Sequence, residues 1–524
     1  PSIVFREVAE DWGIRFRFHS GSRGKHDLPE IMAGGLALAD FDGDGRLDLY
    51  LCDGGPIEGV NAETAVDPPC RLFLNRLPAG FIDVTAGAGA PGPSYAMGAA
   101  TGDVDGDGRV DLFVTGWRGQ KLYRNLGGGR FEDITKRSGL ESPFWSTSAA
   151  FADLDGDGDL DLYVANYLDY DPDLAPYCAA PDGRRDYCGP EDFPAQPDRL
   201  YRNEGDGIFT DVSRSSGVDL PEGRGLGVLI AELTGDNRPD IFVANDGTDC
   251  WLFANQGGLK FTEVGATSGV ARDGHGNALA GMGVALGDLD RDGRSDLVVA
   301  NFLGRSTIGF KQLAMPKGSF ADASTQLGLA PTRDVLGFGL ALTDFDGDGF
   351  LDLIQTNGHV LDRERIGTPF AMRPILLSGT SEGIPLKIPS ATACSWFDRA
   401  ILGRGLAVGD LDGDRRPDVA VAGLGAPFTL LRNDSGGGCF TVLDVLDRAG
   451  HPAVGAKLRV TSGDRTFTRE VTAGGSYLAG SEACVFLGLG GLARIERLEI
   501  DWPWGATQTL NNLSAGQRIR VQAR

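Results

Sequence analysis

Clustered aspartates supply most of the chemistry this chain can do. Seven segments follow or approach the pattern Asp-x-Asp-x-Asp-Gly-x-x-Asp, with first acids at Asp40, Asp103, Asp153, Glu232, Asp288, Asp344 and Asp410. In the first copy Asp40, Asp42 and Asp44 alternate in a tight loop, Gly45 permits the sharp turn, the carbonyl of Arg46 adds an oxygen and Asp48 closes the cage. A flexible all-oxygen shell of this kind suits Ca2+. The equivalent ligands are Asp103, Asp105, Asp107, Arg109 and Asp111 in copy two, and Asp153, Asp155, Asp157, Asp159 and Asp161 in copy three. Copy five offers Asp288, Asp290, Asp292, Arg294 and Asp296, and copy six Asp344, Asp346, Asp348, Phe350 and Asp352. Two copies depart from the pattern. Copy four has Glu232, Thr234, Asp236, Arg238 and Asp240; copy seven has Asp410, Asp412, Asp414, Arg416 and Asp418, but Arg415 stands at the turn glycine. The expectation is therefore about five to seven Ca2+ ions. The plainer alternative is that some of these aspartates only cap turns, which aspartate does well.

Four carboxylates at ~4 Å make six repulsive pairs of roughly 1 kcal/mol each even at the dielectric of water. An empty loop thus costs on the order of 6 kcal/mol, against ~5–15 kcal/mol for the net stability of a whole domain. The loops are not EF-hands. Those need a bidentate Glu at loop position 12 and a following helix, whereas Leu51, Val114 and Val164 stand there in the first three copies. The residues after each loop, such as DLYL, DLFV and DLYV, are apolar, β-branched or aromatic and read as buried strands.

The elements that must hold these loops recur in order. A small-residue strand enters the loop (GGLALADF, MGAATGDV, TSAAFADL), a second leaves it, a third ends in Asn (RLFLN, KLYRN, RLYRN) and a fourth follows a Gly-rich turn (FIDVT, FEDIT, FTDVS). Seven antiparallel four-strand units predict an all-β fold, a seven-bladed β-propeller. Residues 3–9 resemble a fourth strand with no repeat before them, so they are expected to complete blade seven and close the ring. Strand alternation puts the metal loops on one face and the insertions 52–70, 166–198, 301–313 and 357–373 on the other. His19, Glu30, Trp145, His275, His359 and Asp398 map to that second face and are its candidate ligand residues. Loops on a rigid scaffold commonly carry recognition.

The formal net charge is −24, and seven divalent ions would offset more than half of it. The acidity is therefore no sign of a basic partner, and it argues against nucleic acid. Cys52 and Cys70, Cys178 and Cys188, and Cys439 and Cys484 read as disulfides and point to an oxidising compartment; the alternative is buried free thiols. Cys250 and Cys394 are left over. No run approaches the length of a membrane span, and an upstream export signal is expected to have been removed.

After about Ser435 the repeats stop, and short strand-like runs predict a small all-β, sandwich-like domain. Here GAKLRVTSG, EVTAGGSYLAG, VFLGLG and LEIDWPWGATQTL resemble the ASPIC/UnbV domain, with VFLGLG in place of the usual FGLG. The aspartate repeats resemble the FG-GAP/VCBS repeats that precede it in the cartilage acidic protein-like family. The resemblance implies a propeller of the integrin-alpha-like type over residues 1–435, an ASPIC/UnbV-like domain over 436–524, export and calcium binding. It implies little biochemistry. The primary expectation is a secreted or periplasmic scaffold, not an enzyme, binding protein, glycan or further copies of itself through the insertion face. The alternative is a hydrolase or natural-product enzyme with a site at the channel mouth built from Glu30, His275, His359 and Asp398.

Overall fold

The computed structural model describes residues 2–22, 24–55, 57, 70–380, 386–387 and 394–524. Most of the first insertion, residues 58–69, lies outside them. The fold is all-β: its α-helices are single turns of four residues, such as Pro29–Met32 and Ser213–Ser216.

Seven antiparallel sheets follow one another along the chain, each beginning with a strand that enters an aspartate loop. Sheet one holds Leu36–Ala39, Asp48–Leu51, Arg71–Asn75 and Phe81–Asp83, and sheet two Ala96–Gly102, Asp111–Gly116, Lys121–Asn125 and Phe131–Asp133. The first strands of sheets three to seven are Ser146–Ala152, Gly225–Ala231, Val284–Gly287, Gly337–Thr343 and Gly403–Gly409. The fourth strand of sheet seven comes from the N-terminus: Phe5 pairs with Asn433 and Glu7 with Leu431. The first strands of successive sheets lie side by side, and Gly403–Gly409 lies beside Leu36–Ala39. Their small residues are required by this crowding. A Cβ on Gly35 would sit 2.4 Å from the carbonyl oxygens of Met97 and Leu478.

The last 85 or so residues form two sheets around one apolar core that includes Leu443, Leu458, Val460, Leu498 and Ile500. One joins Phe440–Leu446 to Val485–Gly488 and Arg518–Gln522; the other orders Arg465–Glu470, Lys457–Ser462, Arg494–Asp501 and Thr507–Ser514. Between them the chain leaves this core and enters the centre of the seven sheets. Ala473–Gly474 adds to the inner edge of sheet four, and Ala479–Gly480 runs parallel to the inner strand of sheet one. At the tip Tyr477 is fully buried against Phe338, and its hydroxyl donates to the Met32 carbonyl at 2.6 Å.

The cysteines differ from expectation. Cys178–Cys188 is a disulfide. Cys52 and Cys70 are buried neighbours but remain thiols. Cys439 and Cys484 are also unbridged, for a reason of register: Phe440 pairs with Gly488 and Leu443 with Val485, so the two cysteines fall at opposite ends of the paired strands, roughly 17 Å apart at ~3.4 Å per residue.

Candidate metal centres

Each aspartate loop is shaped by its own backbone amides. In loop one, Asp40 accepts from the N–H groups of Gly43 (2.8 Å), Asp44 (3.1 Å) and Gly45 (2.8 Å), and Asp44 from Arg46 (3.0 Å). Asp48 is wholly buried at the start of the second strand and accepts from Phe41 and Asn75, both at 2.8 Å. The same pair of bonds fixes Asp111, Asp161, Asp240, Asp352 and Asp418. The sixth loop position is left-handed throughout, at Gly45 (φ 85°), Gly108 (82°), Gly158 (97°), Asn237 (65°), Gly293 (86°), Gly349 (96°) and Arg415 (73°). The turn is therefore kept even where glycine is absent, at a cost of roughly 1–2 kcal/mol for a residue such as Arg415.

Carboxylate oxygens of Asp40, Asp42 and Asp48 lie within 4.8 Å of one another, as do those of Asp103, Asp105 and Asp111, of Asp153, Asp155 and Asp161, and of Asp288, Asp290 and Asp292. Burial pushes the innermost carboxyls up: Asp48 and Asp111 to about 7, Asp161 and Asp296 to about 8, with neighbouring carboxylates adding to the effect and backbone N–H groups opposing it. Asp105 Oδ1, Asp288 Oδ1 and Asp410 Oδ1 are buried with no hydrogen-bond donor. An orphaned carboxylate oxygen in an acidic oxygen cage is what a hard cation satisfies, so the residues fit the ion.

Two sets of residues were not anticipated by the sequence reading. A base near the end of strand three reaches back to the loop: Arg76 to Asp42 and Asp44, Arg124 to Asp105 (2.5 Å) and Asp107 (3.2 Å), Lys311 to Asp290 and Asp292, and Arg432 to Asp412 (2.6 Å). In loop one, four carboxylates face Arg76 and Arg46, leaving two charges for one divalent ion to offset. The strand-three asparagines tie adjacent sheets together. Asn125 Nδ2 donates to Phe41 O (3.0 Å), Asn203 to Val104 O (2.9 Å), Asn255 to Leu154 O (2.9 Å), Asn433 to Phe345 O (2.9 Å) and Asn75 to Leu411 O (2.7 Å), each acceptor following the first acid of the preceding loop. The recurring Arg-Asn or Lys-Gln dipeptide in KLYRN, RLYRN, TLLRN and IGFKQ was the available signal.

The C-terminal domain packs on metal loops three to seven. Trp504 N donates to Asn237 O (3.0 Å), Gly490 N to Gly347 O (2.7 Å) and Arg465 Nη1 to Asp348 O (2.9 Å). A Cβ on Gly156 of loop three would lie 3.2 Å from the Trp504 ring.

On the opposite face Glu30 accepts from the Tyr187 hydroxyl (2.8 Å), and its other oxygen is buried without a partner. His359 is buried beside Phe302 and accepts from Leu361 N–H (2.9 Å); burial, then Arg363 and Arg404, lower its pKa to about 4. Asp186, next to Tyr187, pairs with Arg363 at 3.0 Å. His19 pairs with Asp53 (2.8 Å), and Trp145 is buried against Tyr167 and Tyr170. His275 and Asp398 are exposed, and among the described residues no hydrogen bond or ion pair joins either to Glu30 or His359.

Residues 447–524 match the ASPIC and UnbV family, and residues 103–164 and 232–299 match the FG-GAP-like repeat. Cartilage acidic protein 1 of Homo sapiens is 28% identical over 318 residues, covering 59% of this chain and 45% of that protein. The Xenopus tropicalis protein of that name is 31% identical over 168 residues, covering 31% and 25%. The chain thus spans less than half the length of these relatives. An Agrocybe aegerita lectin that recognises non-reducing terminal N-acetylglucosamine aligns at 18% identity over 68% of this chain and 80% of its own, with a TM-score of 0.39, a value that carries no argument.

Proposed function

The chain belongs to the FG-GAP-repeat proteins that end in an ASPIC/UnbV domain, and from this premise we propose that it is an exported, Ca2+-stabilised recognition scaffold. In this reading residues 1–435 are a seven-bladed propeller closed by Phe5–Glu7, and 436–524 are a second domain seated on its metal face. The neighbouring first strands and the asparagine bridges, including Asn75 to Leu411, support the ring. The regular loops hold Ca2+, an assignment supported by the oxygen-only donors and the orphaned carboxylate oxygens. The ions act structurally, by cancelling repulsion among buried acids.

One observation carries the assignment of the recognition face: the C-terminal domain packs on metal loops three to seven and fills the centre from that side as far as Met32. The insertion face is what remains for a protein, a glycan or a second copy. It carries exposed Leu174 (82%), Tyr177 (67%) and Phe302 (36%), apolar groups that a partner could cover. Export is supported by the Cys178–Cys188 bridge. No helix among the described residues is long and apolar enough to cross a membrane.

Melting with and without EDTA tests the calcium part: chelation is expected to lower Tm by tens of degrees, and coincident curves refute it. Glycan arrays and light scattering test the face. Leu174→Asp with Tyr177→Asp is expected to abolish binding or self-association at unchanged Tm; a ligand that still binds this variant at full affinity places recognition elsewhere.

A further inference from the structure

Loop four differs from the other loops in what fills it. We infer that the ammonium of Lys457, from the C-terminal domain, is the permanent cation of loop four, and that this loop takes no Ca2+. The inference rests on the reading of the regular loops as calcium sites.

Lys457 begins the strand Lys457–Ser462, and its register with Glu470 and Asp501 fixes where it projects. Its Nζ pairs with Oε2 of Glu232, the first acid of the loop. Asp240 and Glu470 also act on it, and Glu470 in turn accepts from Glu232 N–H and from the Ser295 hydroxyl (3.2 Å). In loops one, two, three, five and six the corresponding oxygen of the first acid accepts the N–H of the turn glycine: Gly45, Gly108, Gly158, Gly293 and Gly349. In loop four that oxygen goes to the ammonium instead.

The loop has also given up a negative charge. Thr234 replaces the second carboxylate, and Arg238 pairs with Asp236. Lys457 thus takes Glu232 and Arg238 takes Asp236, and Asp240 accepts from the N–H groups of Leu233, Thr234 and Asn255, so no carboxylate of this loop is left free for a divalent ion. The counter-charge is thus covalently part of the docked domain, and loop four becomes a seat for that domain where the regular loops are sites for metal.

Calcium bound per full-length chain, measured by elemental analysis after gel filtration in millimolar calcium, tests this on three proteins. Asp236→Ala is expected to bind as many ions as the wild type, whereas Asp105→Ala in loop two binds one fewer. In saturating calcium Lys457→Gln is expected to melt several degrees lower and Lys457→Arg near the wild type. An Asp236→Ala count lower by one, or an unchanged Tm for Lys457→Gln, overturns the inference and leaves the regular loops as calcium sites. An unchanged count for Asp105→Ala instead overturns the calcium reading itself, and the inference falls with it.

Discussion

Asn203 shows how much one side chain does. Its amide donates to Val104 O of the preceding loop and to Leu160 O of its own, while its backbone N–H holds Asp161. Asn203→Ala leaves two buried carbonyls without that donor, and each orphaned group costs about 1–3 kcal/mol. A matching fall in denaturant midpoint is expected; an unchanged midpoint would show that the bridges are dispensable. Arg415 is the opposite case. It holds a left-handed conformation, and its Nε is buried without a partner. Arg415→Gly removes both penalties, so it is expected to raise stability by about 1 kcal/mol, read from the same denaturation curves.

At the scale of the element, the loop and its following strand form one electrostatic unit. Without an ion, the carboxyls of Asp48, Asp111, Asp161 and Asp296 titrate near 7 to 8 in the fold, because burial disfavours their charge, and near 4 in the unfolded chain. Between those limits the folded state binds more protons. Stability of the metal-free protein therefore falls as pH rises from about 4 to about 8. With an ion bound these carboxyls are ionised in the fold, and the trend over that range is lost. Thermal melts in EDTA and in calcium at pH 5 and pH 8 should diverge most at pH 8. A chelation effect that is equal at both values, or larger at pH 5, contradicts the account.

At the scale of the whole molecule, the segment from Ala473 to Gly480 determines how the two parts combine. It pairs with sheets one and four, and Tyr477 anchors it to Met32 on the far side. Tyr477→Ala removes a fully buried ring and is expected to cost about 3–5 kcal/mol, as aromatic-to-alanine changes in cores do. It should also open the domain junction to limited proteolysis near residue 435. A variant that remains as stable and as resistant as the wild type would show that the segment fills the centre without holding it.

The repeating acids, the small-residue strands and the Asn-ended third strands settled the all-β class and the grouping of the loops from sequence alone, because ligand spacing and strand periodicity are local and repeat seven times. Pairing of the cysteines was not legible, since it depends on register: Cys439 and Cys484 lie on neighbouring strands yet at opposite ends of them. The role of Lys457 was equally hidden, because it acts on Glu232 across 225 residues of chain. Only the tertiary structure brought the C-terminal sheets onto the metal loops and a tyrosine into the centre of the seven sheets, for such encounters arise from surface complementarity and burial between distant segments.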